Sequence, residues 1–452
     1  MQDILSEVAL LFPSKYIHIG GDEVVKTRWK ENAYCQELMK REKLKDENEL
    51  QSYFIKRIEK FLLTRQKKII GWDEILDGGL SPGATVMSWR GEEGGIAAAK
   101  QNHDAIMTPG NYCYFDHYQS LSPNEPYANC CYTPVSEVYE YNPIPKGLTE
   151  AESKHILGAQ GNVWTEYMSN SNYVEYMIMP RQCALAEAIW TPVDKKNYSD
   201  FSNRMMRHFN RFNILKVNYS RHLMDLNANV KVSDGKIAVE LSSVVQGVSI
   251  YYTTDGSNVS TSSSAYTEAV TIPGSCTFKA ASFKNGIKIG TDYVQKFNLH
   301  SAAGASVKLA NPPASNYNPG GAPILVNGIT GSINYGEGNW LGFSGVNFDA
   351  TVDLKNEQEI NSIRFNYVVK NDSWIYAPVK VTCSVSVDGV NYTEVYSGVP
   401  DAVNGLKSVT ATFAPVKAKF IRVVAENTLS IPEGHPGAGN PAWIFVDELI
   451  VE

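Results

Sequence analysis

Five short apolar runs punctuate the first 225 residues: Ile17–Ile19, Lys68–Gly71, Thr85–Trp89, Asp104–Thr108 and Ile156–Ala159. Each gives way to polar or aromatic residues, and stretches of helical spacing lie among them. Helix signals fall at Ile4–Phe12, around Lys26–Lys43, and at Glu47–Gln66, where Leu50, Phe54, Ile58, Phe61 and Leu62 share one face. Long helices at about Tyr173–Ile189 and Tyr198–Lys216 close the region. Such alternation forces a parallel sheet with helices outside it, because a parallel strand needs a crossover before the next. A complete eight-stranded barrel typically takes about 250 residues. The expected fold of residues 1–225 is therefore the C-terminal portion of an incomplete (β/α)8 TIM barrel, with about five strand–helix units.

The pattern changes near Leu226. Residues 228–298 carry alternating strands, with Asp255-Gly256 and Asn285-Gly286 as hairpin markers, and read as a small all-β module. Residues 305–452 are again β-rich, with strands at Phe348–Leu354, Ile360–Val369, Val379–Val387 and Phe420–Val424. Their size suits a second β-sandwich, whose loops gather at its ends. The fold class is multidomain α/β plus all-β. No repeat or low-complexity tract interrupts it.

The run Tyr16-Ile17-His18-Ile19-Gly20-Gly21-Asp22-Glu23 joins a buried strand to two adjacent carboxylates. In α/β barrels the C-terminal strand ends hold the chemistry. Two carboxylates serving as acid and nucleophile across a glycosidic bond must stand roughly 5 Å or more apart. Neighbouring residues do not easily straddle a sugar that way. They suit a mechanism in which one is the general acid and the other steers a nucleophile belonging to the substrate. The bland alternative is a strand end with two solvated acids.

The other strand ends repeat a theme. They carry Gly71-Trp72-Asp73-Glu74, Ser88-Trp89-Arg90-Gly91, the segment Asn111–His117 with Tyr114 and Asp116, and Gly161–Glu166 with Trp164. Four successive ends bring an aromatic residue, and three also bring a carboxylate. Trp72, Trp89 and Trp164 would wall a pocket suited to a small sugar ring, with core packing as the alternative for each. Tyr114 could donate its hydroxyl proton, or pack. Asp116 and Glu166 could accept hydrogen bonds from sugar hydroxyls, or simply be solvated or ion-paired. Asp73 and Glu74 read as structural, His18 as a hydrogen-bonded core histidine, and Arg181 with Glu187 as a buried ion pair.

A net charge of −7 without a basic block argues against nucleic acid as partner. No apolar stretch approaches the roughly 20 residues of a membrane span. Met1-Gln2-Asp3 leads straight into an amphipathic helix. If the natural protein is exported (periplasmic, surface or secreted), its signal lies on a segment outside this chain. The seven cysteines include no CxxC pair, so neither zinc nor any other metal or cofactor is expected. Cys130 and Cys131, being adjacent, are not expected to pair with each other.

Together, His18–Glu23, Gly71–Glu74, Trp89–Gly91, Tyr114–Asp116, Trp164–Glu166 and Pro180–Trp190 resemble the family 20 glycoside hydrolases, the β-N-acetylhexosaminidases, over about residues 1–225. Residues 228–298, with Tyr251–Ser257, are similar to the chitobiase-type module that follows such barrels. Residues 305–452 are similar to a discoidin-type (coagulation factor 5/8 type C) module, often carbohydrate-binding, in which Trp340, Trp374 and Trp443 are stacking candidates.

The resemblance implies that Glu23 protonates the leaving oxygen and then activates water. It implies that Asp22 and Tyr114 hold the substrate's 2-acetamido group as nucleophile. Trp72, Trp89 and Trp164 would enclose the sugar, while Asp116 and Glu166 would bind hydroxyls. The implied substrate is a glycan with terminal β-linked N-acetylglucosamine or N-acetylgalactosamine. Relatives grip sugar hydroxyls with a first-strand arginine that has no counterpart here, so the chain is expected to be a fragment or inactive alone. The other readings are a non-catalytic glycan-binding protein with a remnant barrel, and a lacto-N-biosidase-like enzyme.

Overall fold

The computed structural model describes all residues except Pro123, Asn124, Asn129 and Asp234. The chain divides into two compact units, Met1–Leu223 and Met224–Glu452.

In the first unit, β1 (Tyr16–His18), β2 (Lys68–Trp72), β3 (Thr85–Ser88), β4 (Ala105–Met107) and β5 (Ile156–Ala159) form one parallel sheet in chain order. All five strand ends therefore lie at the same edge, and the sheet is open, with β1 and β5 each paired on one side. Every strand sits within a residue or two of its place in the sequence pattern. Helices α1 (Gln2–Leu11), α2 (Glu47–Thr64) and α3 (Glu93–Lys100) pack on this sheet. Ile17, Ile69, Val86 and Ala105 from the strands meet Leu5, Ile55, Ile58, Leu62 and Ala98 from the helices. Asp46 caps α2, accepting from Asn48 and Glu49 backbone N–H groups at 2.9 Å each. Phe54, expected on the buried face of α2, is exposed, and Ile55 is buried instead.

Two expected helices are broken. The segment around Lys26–Lys43 splits at Asn32, whose extended backbone ends one helix while its side chain accepts from Cys35 N–H at 3.1 Å to start the next. The segment Tyr173–Ile189 splits at Pro180 into Ser171–Ile178 and α4 (Arg181–Trp190). Proline lacks a backbone donor and pushes the preceding residue to extended geometry, which Met179 adopts. Helix α5 (Tyr198–Leu215) ends the unit.

The second unit is antiparallel β throughout. A three-stranded and a four-stranded sheet, drawn from Asn227–Ser233 through Ile287–Phe297, enclose Val239, Phe278 and Phe297. Asn285 and Gly286 both have positive φ, 52° and 77°, making the tight turn that joins the hairpin Cys276–Lys284/Ile287–Phe297. Asp255-Gly256 is no such turn: it opens a longer loop that rejoins the sheet only at Ser264. An eight-stranded sheet follows, built around two 22-residue strands, β6 (Phe348–Val369) and β7 (Gly405–Glu426). Phe348–Leu354 and Ile360–Val369 are thus one strand, with register shifts where two were expected. The large side chains buried here include Trp340, 1% exposed, which donates to the Ser332 carbonyl through Nε1 at 3.1 Å. Trp340 is therefore core and not a stacking surface. Trp443 is half-buried against Tyr317, and Trp374 is 38% exposed. No helix among the described residues is long and apolar enough to cross a membrane.

Candidate active site

The glycine pair after β1 sets the site. Gly20 and Gly21 have φ of 73° and 105°, and a Cβ on Gly21 would stand 2.7 Å from Ile75 Cγ2. The chain turns there because no side chain is in the way. Gln51, buried on α2, donates to the Gly21 carbonyl at 2.9 Å. Asp22 and Glu23 follow, both exposed. Glu23 itself has φ of 50°, a left-handed conformation that a non-glycine residue holds only when its surroundings impose it. Its N–H donates to Glu74 Oε1 at 3.4 Å.

Asp73 and Glu74, read from the sequence as merely structural, organise the neighbouring loops. Asp73 is buried and accepts from Arg90 Nε at 2.5 Å and from the N–H groups of Trp89 and Arg90 at 3.0 and 3.2 Å. Burial pushes its carboxyl upward, and Arg90 opposes that. Glu74 accepts the Trp89 indole N–H on Oε2 at 3.0 Å while Oε1 takes the Glu23 N–H. One carboxylate thus bridges an aromatic wall and the candidate acid. The sequence signal was their place directly after Trp72 at a strand end.

His18 is not a core histidine. It is exposed at the end of β1, accepts Gly20 N–H on Nδ1 at 3.1 Å, and packs edge-on against Trp72 with ring centroids 4.8 Å apart. Desolvation by these neighbours lowers its pKa, and the nearby Asp22 carboxylate pulls the other way. Trp72 and Trp164 have ring centroids 6.0 Å apart, and Trp89 stacks on Tyr114 at 6.3 Å. Burial pushes the Tyr114 hydroxyl up to about 12, so it is protonated and able to donate at neutral pH. Tyr114 joins β5's outgoing segment through a bridge to Asn162.

Asp116 is buried, and its Oδ1 lacks a protein partner. Burial raises its pKa, Arg181 lowers it and Glu166 raises it. Glu166 is exposed. The structure therefore gathers all eight predicted residues (Asp22, Glu23, Trp72, Trp89, Tyr114, Asp116, Trp164 and Glu166) at one edge of the sheet.

Arg181 is fully buried but is not paired with Glu187. Its guanidinium donates to the carbonyls of Phe115, His117, Thr133 and Met177 at 2.5 to 3.1 Å, clamping the segment that carries Asp116. Glu187 pairs instead with Arg204 at 2.6 Å and accepts from the Tyr139 hydroxyl at 2.9 Å. Spacing on one helix suggested the pair, but α4 sends the two side chains to different partners. Cys130 and Cys131, not expected to pair, form a disulfide, with the five other cysteines free.

The first unit thus presents an open parallel sheet with adjacent acids and clustered aromatic side chains at its C-terminal edge. Residues 1–193 match the family model for glycosyl hydrolase family 20, catalytic domain. Residues 230–293 match the chitobiase/β-hexosaminidase C-terminal domain, and residues 313–440 the F5/8 type C domain. The chain is 52% identical over 220 residues to a β-hexosaminidase of Porphyromonas gingivalis, covering 48% of this chain and 28% of that protein. It is 38% identical over 187 residues to a β-hexosaminidase of Vibrio furnissii, covering 40% and 30%. Among solved structures it is similar to the GH20 exo β-N-acetylglucosaminidase of Vibrio harveyi in complex with N-acetylglucosamine. That match has 33% identity and a TM-score of 0.45, over 48% of this chain and 35% of that one. The chain thus spans less than a third of the two curated relatives.

Proposed function

We propose that the first unit carries the acid-bearing part of an exo-β-N-acetylhexosaminidase site, acting on terminal β-linked N-acetylglucosamine or N-acetylgalactosamine by substrate-assisted retention. The observation that carries this reading is the adjacent pair Asp22–Glu23, held at the sheet edge by the Glu23–Glu74 bond and flanked by the aromatic residues of the next four strand ends. Neighbouring carboxylates are poorly placed to act as acid and nucleophile on opposite sides of a sugar, and substrate-assisted hydrolysis removes that need.

In this reading Glu23 protonates the departing glycosidic oxygen. Asp22 accepts the acetamide N–H and orients it, so the acetamide oxygen attacks the anomeric carbon. Tyr114, protonated, donates to that oxygen. Trp72, Trp89 and Trp164 enclose the ring, while Asp116 and Glu166 accept from its hydroxyls. The buried, unpartnered Asp116 Oδ1 supports the last role, since an unmet buried acceptor costs about 1–3 kcal/mol.

The test is turnover of a chromogenic N-acetyl-β-glucosaminide by the chain and by Glu23→Gln. Proton transfer from a placed side chain contributes roughly 10²–10⁴-fold, so the variant should lose that much on substrates with poor leaving groups. Equal rates on substrates with poor leaving groups would remove Glu23 from the role. A trapped sugar–enzyme ester would overturn the substrate-assisted mechanism. A disaccharide product would favour a lacto-N-biosidase-like reaction.

A second reading, glycan binding without catalysis, draws on the C-terminal sandwich. A cavity of about 300 Å³ between its loops is lined by Asn371, Tyr376, Pro378, Val399, Pro400 and Thr428. Asn371 Oδ1 and the Tyr376 hydroxyl are buried there without partners, and the exposed Trp374 stands on the same loop. Polar groups set in an apolar cavity suit a sugar edge. Retention of the full chain on immobilised glycans, lost in Tyr376→Ala but kept in Glu23→Gln, would support this reading.

A further inference from the structure

Three side chains beside the candidate active site form a cluster that the glycosidase reading leaves unused. A ring nitrogen of His117 and the sulfurs of Cys130 and Cys131 lie within 4.8 Å of one another. Two thiolates and an imidazole are the donor set of soft and borderline metal ions. We propose that these residues form a redox-gated site for a thiophilic metal ion, closed while Cys130 and Cys131 are joined and opened when a thiol reductant separates them.

The ligands are held from both sides. Thr133 Oγ1 lies within hydrogen-bond distance of His117 Nδ1, at 2.9 Å, and of the Asn111 carbonyl, at 3.4 Å. A hydrogen bond at one ring nitrogen orients the imidazole and leaves the other for a metal, the usual arrangement of a ligating histidine. Tyr118 N–H donates to the Cys131 carbonyl at 3.1 Å, and Thr133 N–H to the Tyr118 carbonyl at 2.8 Å. Arg181 Nη1 donates to both the His117 and Thr133 carbonyls at 3.1 Å, stitching the two segments together. His117 is buried, whereas both cysteines are exposed and open to a reductant.

Opening balances simply. Two thiols of the reductant become its disulfide. Two electrons and two protons pass to Sγ of Cys130 and Cys131 as their S–S bond breaks. Metal binding then displaces the two thiol protons, and a ring nitrogen of His117 supplies the third ligand. The absence of a CxxC pair argued against metal, but here the third ligand comes from a strand-end loop rather than from sequence spacing.

This inference stands apart from the glycosidase reading, because its readout is metal binding. The full chain, denatured as purified, should show five free thiols, and seven after treatment with dithiothreitol. With reductant removed anaerobically, the folded reduced chain should bind one equivalent of Cd²⁺ with thiolate-to-metal charge-transfer absorption, and the oxidised chain none. Cys130→Ser and Cys131→Ser, both at exposed positions, should each weaken binding by roughly tenfold or more. Thr133→Val, which removes the hydroxyl beside His117 Nδ1 and its longer bond to the Asn111 carbonyl, should weaken it by roughly 10–100-fold. Seven thiols before reduction would overturn the gate. Failure of the reduced chain to bind Cd²⁺, equal binding by the oxidised chain, or binding unchanged in both serine variants would overturn the site.

Discussion

Replacing Arg181 by methionine should destabilise the first unit by at least about 3 kcal/mol, the low end of what its hydrogen bonds contribute less the penalty of burying its charge. The magnitude follows from its five hydrogen bonds to four carbonyls. Bonds from a charged donor contribute about 1.5–3 kcal/mol each, together about 8–15 kcal/mol. Burial works against them: it pulls the guanidinium down to about 9, equivalent to about 5 kcal/mol against the charge. Methionine relieves that penalty and fills the space, but the carbonyls of Phe115, His117, Thr133 and Met177 lose their donor while still inside the protein. Urea unfolding of the full chain followed by far-ultraviolet circular dichroism is the assay. With a slope near 2 kcal/mol/M, the first unit's midpoint should fall by at least about 1.5 M, and the second unit's should not move. Arg181→Lys, with fewer donors and no planar fork, should recover only part of the loss. A change below about 1 kcal/mol in Arg181→Met would refute the clamp.

Glu74→Leu should leave the fold intact but free both the Trp89 indole and the Glu23 N–H. Misplacement of about 1 Å can reduce rate roughly 10²-fold, so kcat/KM on the chromogenic substrate should fall by at least about tenfold with an unchanged circular dichroism spectrum. Gly21→Ala places a Cβ 2.7 Å from Ile75 Cγ2 at a φ of 105° and should lower stability by about 1–3 kcal/mol, read as a lower Tm. In the C-terminal sandwich, burial raises the Asp447 carboxyl to about 7 against the donors of Asn366 and Gly331. The folded state therefore keeps a proton that the unfolded chain has released. This contribution is fully present below the ordinary value of 3.8 and is lost as pH rises through about 7. Between pH 5 and 8 the second unit should lose about 3 kcal/mol, and Asp447→Asn should flatten that slope in denaturant titrations at several pH values.

The parallel sheet was legible because each strand is a short apolar run with its own stop signal, and strand order in a β/α barrel follows sequence order. The cluster of acids and aromatics was legible for the same reason: parallel strands deliver their C-terminal residues to one edge. What the pattern hid depended on side-chain direction. Period-3.6 spacing put Arg181 and Glu187 on one helix but could not say that Arg181 turns inward to four carbonyls while Glu187 meets Arg204. Asp73 and Glu74 looked redundant because their partners, Arg90, Trp89 and Glu23, come from other strand ends. Pro180 was visible but was read through, and Trp340 could not be told from a surface aromatic until its indole found the Ser332 carbonyl.

The Glu74 bridge has an evolutionary consequence. Trp89, the proposed wall of the site, and Glu23, the proposed acid, lean on the two oxygens of a single side chain. A substitution that reshapes the wall to admit a different sugar also shifts the loop presenting the acid. Substrate preference and turnover are then not independent traits on this scaffold. Lineages that broaden what they accept would be expected to change Glu74 and the residues around it together, or to lose rate along the way.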